Sequence, residues 1–268
     1  MALIDHIWFA ALTRHLNDAG TDNSLNLTVN IAGTDVIDTH VGWHTRSGQG
    51  YFLINNDFTP FDSNGLTDSS VRIGIRGDDA WAPEHILIFG HSPRLFYPVA
   101  METDIDTTLS ADPGEGHLTM PLRLVAAGDS TTVIRRLLLL VDTASTNDDA
   151  GTDSPVQLQI TAAGNNVFTQ QLPGTAQDDL ENWRANWYFL DGQAPFTRGD
   201  VIGNGGITLS ILDTDAWQPS NFVLFGLDTP SGRPNKMVSL VAIIDWNLGW
   251  LSGDPAEGKQ SVSLPISA

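Results

Sequence analysis

The chain has no cysteine among its 268 residues. That excludes disulfides, thiolate zinc sites and cysteine nucleophiles, and it leaves the compartment open. Lysine is nearly missing as well, with only Lys236 and Lys259, and the 13 basic residues face 32 acidic ones for a formal net charge of -19. Such a surface repels phosphates, so nucleic acid is not expected as a partner and bare anionic lipid is disfavoured. No apolar run approaches the length needed to span a bilayer. The opening MALIDHIWFAALTRHL sets an Asp and a His before a short apolar run and lacks a basic leader, so it reads as a strand and not as a signal peptide. Catalytic signatures are missing too. There is no G-x-S-x-G elbow, no H-E-x-x-H, no phosphate-binding glycine loop and no His/Cys zinc pairing, and the chain is expected not to be an enzyme.

What is present is a hydrophobic content of 41%, enough to bury a real core, and an abundance of Asp. Acidic loops suit a hard divalent cation that takes oxygen ligands, while an Asp-rich surface also serves solubility.

Three motifs occur twice in the same order. Asp18-Ala19-Gly20-Thr21-Asp22 (DAGTD) returns at Asp149–Asp153, Asp79-Ala80-Trp81-Ala82-Pro83 (DAWAP) returns as DAWQP at Asp215–Pro219, and LSADPGEG at Leu109–Gly116 returns as LSGDPAEG at Leu251–Gly258. From Asp18 to Asp149, Asp79 to Asp215 and Asp112 to Asp254 the spacing grows from 131 through 136 to 142 residues. Loops that lengthen by a few residues explain this drift, and three motifs in register point to a tandem duplication. The joint is expected near Ala126–Ser130, giving domains over 1–126 and 132–268.

Each half reads as β structure. LNLTVNI (Leu25–Ile31), VQLQITA (Val156–Ala162), VRIGI (Val71–Ile75) and ITLSI (Ile207–Ile211) alternate apolar and polar residues, with Gly, Asn and Asp turns between the runs. LLLLV (Leu137–Val141), the counterpart of IWFAA in the first half, reads as a strand buried on both faces. Long stretches of helical period are missing. The fold class is therefore all-β, as two tandem antiparallel β-sandwiches.

DAGTD runs into one strand and DAW follows another. If those ends meet, Asp18, Asp22, Asp79 and Asp78 gather in the first half, and Asp149, Asp153, Asp215 and Asp213 in the second. Unpaired, such carboxylates repel one another. Calcium would remove that cost, with the motif glycine letting a backbone carbonyl turn toward the metal. The alternative is a plain turn in which Asp caps amides and Gly supplies a positive φ.

DAGTD before an alternating strand, DA-aromatic about sixty residues later and Trp250-Leu251-Ser252-Gly253 near the end together resemble the PLAT domain, with closest likeness to the carboxy-terminal domain of clostridial alpha-toxin phospholipase C. The resemblance covers essentially both halves. It implies a β-sandwich whose loops at one end bind calcium and meet a membrane or a partner protein. Carried onto this chain, it implies calcium ligands at Asp18, Gly20, Asp79 and Ala80, and at Asp149, Gly151, Asp215 and Ala216. It implies a further calcium at Thr21, Asp22, Asn56 and Asp57; in the second half Thr152 and Asp153 match, but the middle loop YFLDGQAPF offers only Asp191. The chain departs from that likeness in its loop tips, IRGDDAW and ILDTDAW, which are acidic where the toxin domain carries aromatic residues. Trp81 and Trp217 are expected to pack inside the sandwich.

His40 and His44, at i and i+4, share a strand face and read as surface residues in preference to half a metal site, and His6, His15, His85, His91 and His117 show no ligand spacing. Asp104 and Asp106 lack the glycine and glutamate of an EF-hand loop and read as a solvated turn. The expected function is a secreted, calcium-dependent pair of binding modules directed at a protein or glycan receptor or at membrane lipid. A structural or toxin component with calcium stiffening its loops is the alternative, and a glycan or lipid hydrolase the third reading.

Overall fold

A computed structural model describes residues 3–40, 50–55, 58–92, 95–144, 150–172, 180 and 185–267, the side chains of 39, 40, 50–55, 92 and 95 excepted. Asn56, Asp57, Asp149 and His44 lie outside the described residues. The chain divides into two compact units, Met1–Ala127 and Gly128–Ala268. The fold is all-β and antiparallel. Among the described residues no helix is long and apolar enough to cross a membrane.

Unit one holds β1 (Leu3–Ile4), β2 (His6–Thr13), β3 (Ser24–Ile31), β4 (Thr34–His40), β5 (Gly50–Asn55), β6 (Phe61–Asp62), β7 (Val71–Arg76), β8 (Pro83–Ser92), β9 (Leu95–Glu102), β10 (Thr119–Leu122) and β11 (Ala126–Ala127). Its layers run β5-β2-β8-β9 and β10-β7-β3-β4, with β1 paired to β6. Unit two holds β12 (Val133–Ile134), β13 (Arg136–Thr143), β14 (Val156–Ala162), β15 (Asn165–Gln171), β16 (Ala185–Leu190), β17 (Phe196–Thr197), β18 (Gly206–Ile211), β19 (Pro219–Leu227), β20 (Lys236–Ile243) and β21 (Ser261–Leu264). Its layers run β16-β13-β19-β20 and β21-β18-β14-β15, with β12 paired to β17. The two orders are the same topology.

The likeness extends to irregularities. Register shifts at Leu12/Thr13, Val29/Asn30 and Ile88/Phe89 recur at Asp142/Thr143, Ile160/Thr161 and Leu224/Phe225. The hairpins β3–β4 and β14–β15 turn through Ala32-Gly33 (φ 52 and 86) and Ala163-Gly164 (φ 48 and 79). Two successive positive φ values match the right-handed twist of the strands they join, and glycine takes the second at no steric cost.

Period-two patterning builds each core. In β14 the residues alternate buried and half-buried, and Leu158 and Ile160 meet Leu209 and Ile211 of β18 and Leu139 and Leu224 of the opposite layer. In unit one Leu25, Leu27 and Val29 pack with Ile73, Ile75, Phe9 and Ile88. Each such side chain contributes about 1.5–3 kcal/mol on leaving water. Leu137–Val141 is buried throughout, as a continuous apolar run requires.

One short helix departs from the β reading. α1 (Arg198–Asn204) follows β17, started by a capping box in which the Thr197 hydroxyl accepts from the Asp200 amide and Asp200 accepts from Thr197. At the matching place unit one has only a single 3-10 turn, Ser63–Gly65, capped by Asp62.

Candidate metal-binding loops

In both units the DAGTD loop and the DAW loop are joined at one end of the sandwich, across about sixty residues of sequence. In unit one the Thr21 hydroxyl donates to the Asp79 carbonyl (2.9 Å), the Asp22 amide donates to Asp79 Oδ2 (2.7 Å), and Thr21 Oγ1 accepts from the Asn23 amide (3.0 Å). In unit two Thr152 donates to the Asp215 carbonyl (3.3 Å), the Asp153 amide to Asp215 Oδ2 (2.9 Å), and the Ser154 amide to Thr152 Oγ1 (3.0 Å). Thr21 and Thr152 are buried and their hydroxyls serve the loop, while Asp18, Asp22, Asp79, Asp153 and Asp215 are exposed.

Backbone pairing continues the join. The Ala82 amide donates to the Ala19 carbonyl (2.9 Å) and the Gln218 amide to the Ala150 carbonyl (3.0 Å). Among the described residues the carbonyls of Gly20, Ala80, Gly151 and Ala216 accept no hydrogen bond, and the Asp18 carboxylate has no hydrogen-bond partner. By contrast the carbonyls of the adjoining Ala19, Asp79, Trp81, Ala150, Asp215 and Trp217 are paired.

Two features of the plain-turn reading are relocated. The amide cap comes from the other loop, from Asp79 and Asp215, and the left-handed residue is Asp18 at φ 58 rather than Gly20. Aspartate tolerates that region better than most residues, at a cost in strain. The four carbonyl positions and Asp18 thus remain available for a cation, whereas Thr21 and Thr152 are committed to holding the loops. No three carboxylates of these loops bring ligand atoms within 4.8 Å of one another among the described residues. A hard cation here must therefore draw on carbonyls and water as well as Asp. Asp191, the single acidic group offered by the middle loop of unit two, is engaged by Arg136 (Nε to Oδ1, 2.9 Å).

The third repeated motif acts on the second. Ser110 donates to the Asp78 carbonyl (3.2 Å) and Ser252 to the Thr214 carbonyl (2.7 Å), while the amides of Ala111 and Gly253 donate to the carbonyls of Gly77 and Asp213 (both 2.9 Å). Asp112 and Asp254 cap their own turns through the amides of Gly114 (2.7 Å) and Ala256 (2.8 Å). LSxDPxEG is thus a clamp on the DAW loop, a role its recurrence behind DAW in both halves signals. Trp81 and Trp217 are fully buried, each indole donating to a threonine, Thr13 at 3.0 Å and Thr143 at 3.1 Å.

The chain matches no family model and no curated protein.

Beside the DAGTD loop of unit one lies an open cleft of about 450 Å³ lined by Arg14, Leu16, Glu84, Asp104 and Asp106 among others. Leu16 at its edge is 54% exposed, and Arg14 reaches the Ile105 carbonyl. The loop end of unit one therefore offers a concave, mixed-charge surface.

A group that sequence reasoning passed over sits in unit two. Asp142 is pushed up to about 6, chiefly by burial, against hydrogen bonds from the Asn221 side chain (2.8 Å) and amide (2.5 Å), with the nearby charge of Asp245 pushing in the same direction as burial. Asn221 in turn accepts from the Asp245 amide at 3.2 Å. Leu12 holds the matching position in unit one, so an acidic residue inside an otherwise apolar strand was the available signal.

Proposed function

We propose that each unit is a calcium-dependent, non-catalytic binding module that acts outside the cell and presents its DAGTD and DAW loops to a protein or glycan receptor. The observation that carries this reading is the set of unpaired carbonyls, Gly20 and Ala80 in unit one and Gly151 and Ala216 in unit two, next to the carboxylates of Asp18, Asp79 and Asp215. Oxygen donors of this kind suit calcium, which accepts carboxylate, carbonyl and water together. Bound calcium would supply positive charge at the loop end of a strongly acidic chain and so permit contact with an anionic group there. The burial of Trp81 and Trp217 and the acidic tips favour a receptor over insertion into lipid.

The test is thermal unfolding of metal-free protein with and without about 10 mM calcium. With the about 10⁻⁴–10⁻³ M dissociation constants of extracellular modules, each site gains about 1.4–2.7 kcal/mol. Asp79→Asn with Asp215→Asn keeps an acceptor for the Asp22 and Asp153 amides, removes two charges, and is expected to abolish most of that gain. An unchanged melting temperature in the parent protein overturns the reading. A panel of receptors, glycans and vesicles, run with and without chelator, then separates receptor from lipid.

A further inference from the structure

At the other end of β2 and β8, away from these loops, Asp5, His6 and His91 come together. The register sets His6 directly opposite His91, while Thr13 faces Pro83 at the loop end of the same strand pair. Asp5 occupies the break between β1 and β2, where its amide donates to the His91 carbonyl at 3.3 Å. The His6 and His91 rings lie 4.5 Å apart at 30°, and Asp5 Oδ1 is 2.9 Å from His6 Nδ1. One ligand atom from each residue lies within 4.8 Å of the other two, and all three residues are partly buried.

We propose that Asp5, His6 and His91 form a binding site for a divalent transition ion of the zinc class. Two imidazoles and one carboxylate make a borderline N,N,O donor set, which suits zinc and its neighbours and offers far too few oxygens for calcium. Zinc bonds of about 2.0–2.2 Å require the three ligand atoms to draw closer by side-chain rotation, and leave a fourth, tetrahedral position for water. Burial, followed by the neighbouring His6, holds the His91 imidazole below its usual range, against the opposing pull of Asp5. The neutral ring is the form that ligates.

His91 is held in place by stacking on Phe96 (5.0 Å, 7°) and by the Trp8 indole N–H, which donates to His91 Nδ1 at 3.3 Å. Metal on Nδ1 uses the lone pair that accepts this bond, and metal on Nε2 moves the ring proton to Nδ1. Either way Trp8 gives up this acceptor, so occupancy of the site reports itself at one indole. In unit two the matching positions are Arg135, Arg136 and Leu227, a set that repels cations.

Zinc chloride titrated calorimetrically into the full chain in saturating calcium is expected to show a site that His6→Gln and His91→Gln each weaken by more than the about 10–100-fold that loss of an outer-shell partner costs. His117→Gln, an exposed histidine elsewhere, is expected to leave it unchanged. In the nitrogen–proton spectrum the Trp8 indole resonance is expected to shift on zinc addition in the parent protein and to stay fixed in His91→Gln. Where a histidine variant does not fold, Asp5→Asn, isosteric and partly exposed, replaces it with the same expected weakening. Absence of zinc binding by the parent protein overturns the proposal, as does equal binding by the variants or an unmoved Trp8 resonance at saturating zinc.

Discussion

The strand pair β2–β8 in unit one and its counterpart β13–β19 in unit two carry the same loops at one end and different residues at the other. At the loop end Thr13 and Thr143 hold the indoles of Trp81 and Trp217, Asp79 and Asp215 cap Asp22 and Asp153, and Ser110 and Ser252 clamp the loop from behind. At the far end unit one has Asp5, His6 and His91, where unit two has Arg135, Arg136 and Leu227, with Arg136 stacked 4.1 Å over Phe189 and paired with Asp191. The two units share the hydrogen bonds that shape the loops and differ at the far strand end. The unpaired carbonyls recur at matching positions of both copies.

The likeness breaks most visibly if one tryptophan matters and the other does not. Trp81→Ala and Trp217→Ala are each expected to lose about 3–5 kcal/mol in urea titration, because each removes a fully buried indole with a satisfied N–H. A cost in one unit more than double that in the other would show that the two cores are not energetic equivalents.

A pH titration sharpens the contrast at Asp142. Its folded pKa of about 6 lies above the ordinary aspartate value of 3.8, so between those pH values the native state keeps a proton that the unfolded chain has released. Stability contributed by this residue is therefore fully present below the unfolded value and falls as pH rises through the folded one, by at most about 3 kcal/mol. Asp142→Asn is expected to flatten that decline in chemical-denaturation curves measured from pH 4 to 7. Leu12→Asn, at the matching place in unit one, is expected to leave the slope as it is.

A smaller effect separates the two DAW loops. Gly77, at φ 138, stands where unit two has Asp213, and a Cβ added to it would lie 2.3 Å from the Asn23 side chain. Gly77→Asp is expected to cost about 1–3 kcal/mol from the backbone alone, plus the clash. Adding Asn23→Ser, the residue that Ser154 supplies in unit two, is expected to recover the clash part, as read by melting temperature. No recovery would mean that the backbone conformation carries the whole penalty.

Much of the fold was legible because its signals are local or repeated. Period-two runs such as Val156–Ala162 mark strands by burial alone, and three motifs in order mark the duplication without any knowledge of contacts. The acidic loop residues were legible for the same reason, though which oxygen caps which amide was not. Asp79 reaches the Asp22 amide only because two strand ends meet in space. His6 and His91 are separated by most of unit one and become neighbours through a single choice of register, which alternation does not encode, since a slip by two residues preserves the same face. α1 escaped notice because seven residues with Gly199 and Gly203 carry little helical signal, and its start depends on a capping box read only once the helix is known.

The clamp by LSxDPxEG also sets an order of assembly. Among the described residues, the hydrogen-bonding segments that fix the first pair of loops, from Thr13 to the Leu109–His117 turn, belong to the part of the chain that leaves the ribosome before residue 128. Domains tend to fold as units while synthesis proceeds. The DAW strand, however, emerges well before the turn that braces it. During that interval the loops around Asp18 and Asp79 lack their rear support, and the last motif of the unit, once exposed, locks loops whose own residues were all made earlier.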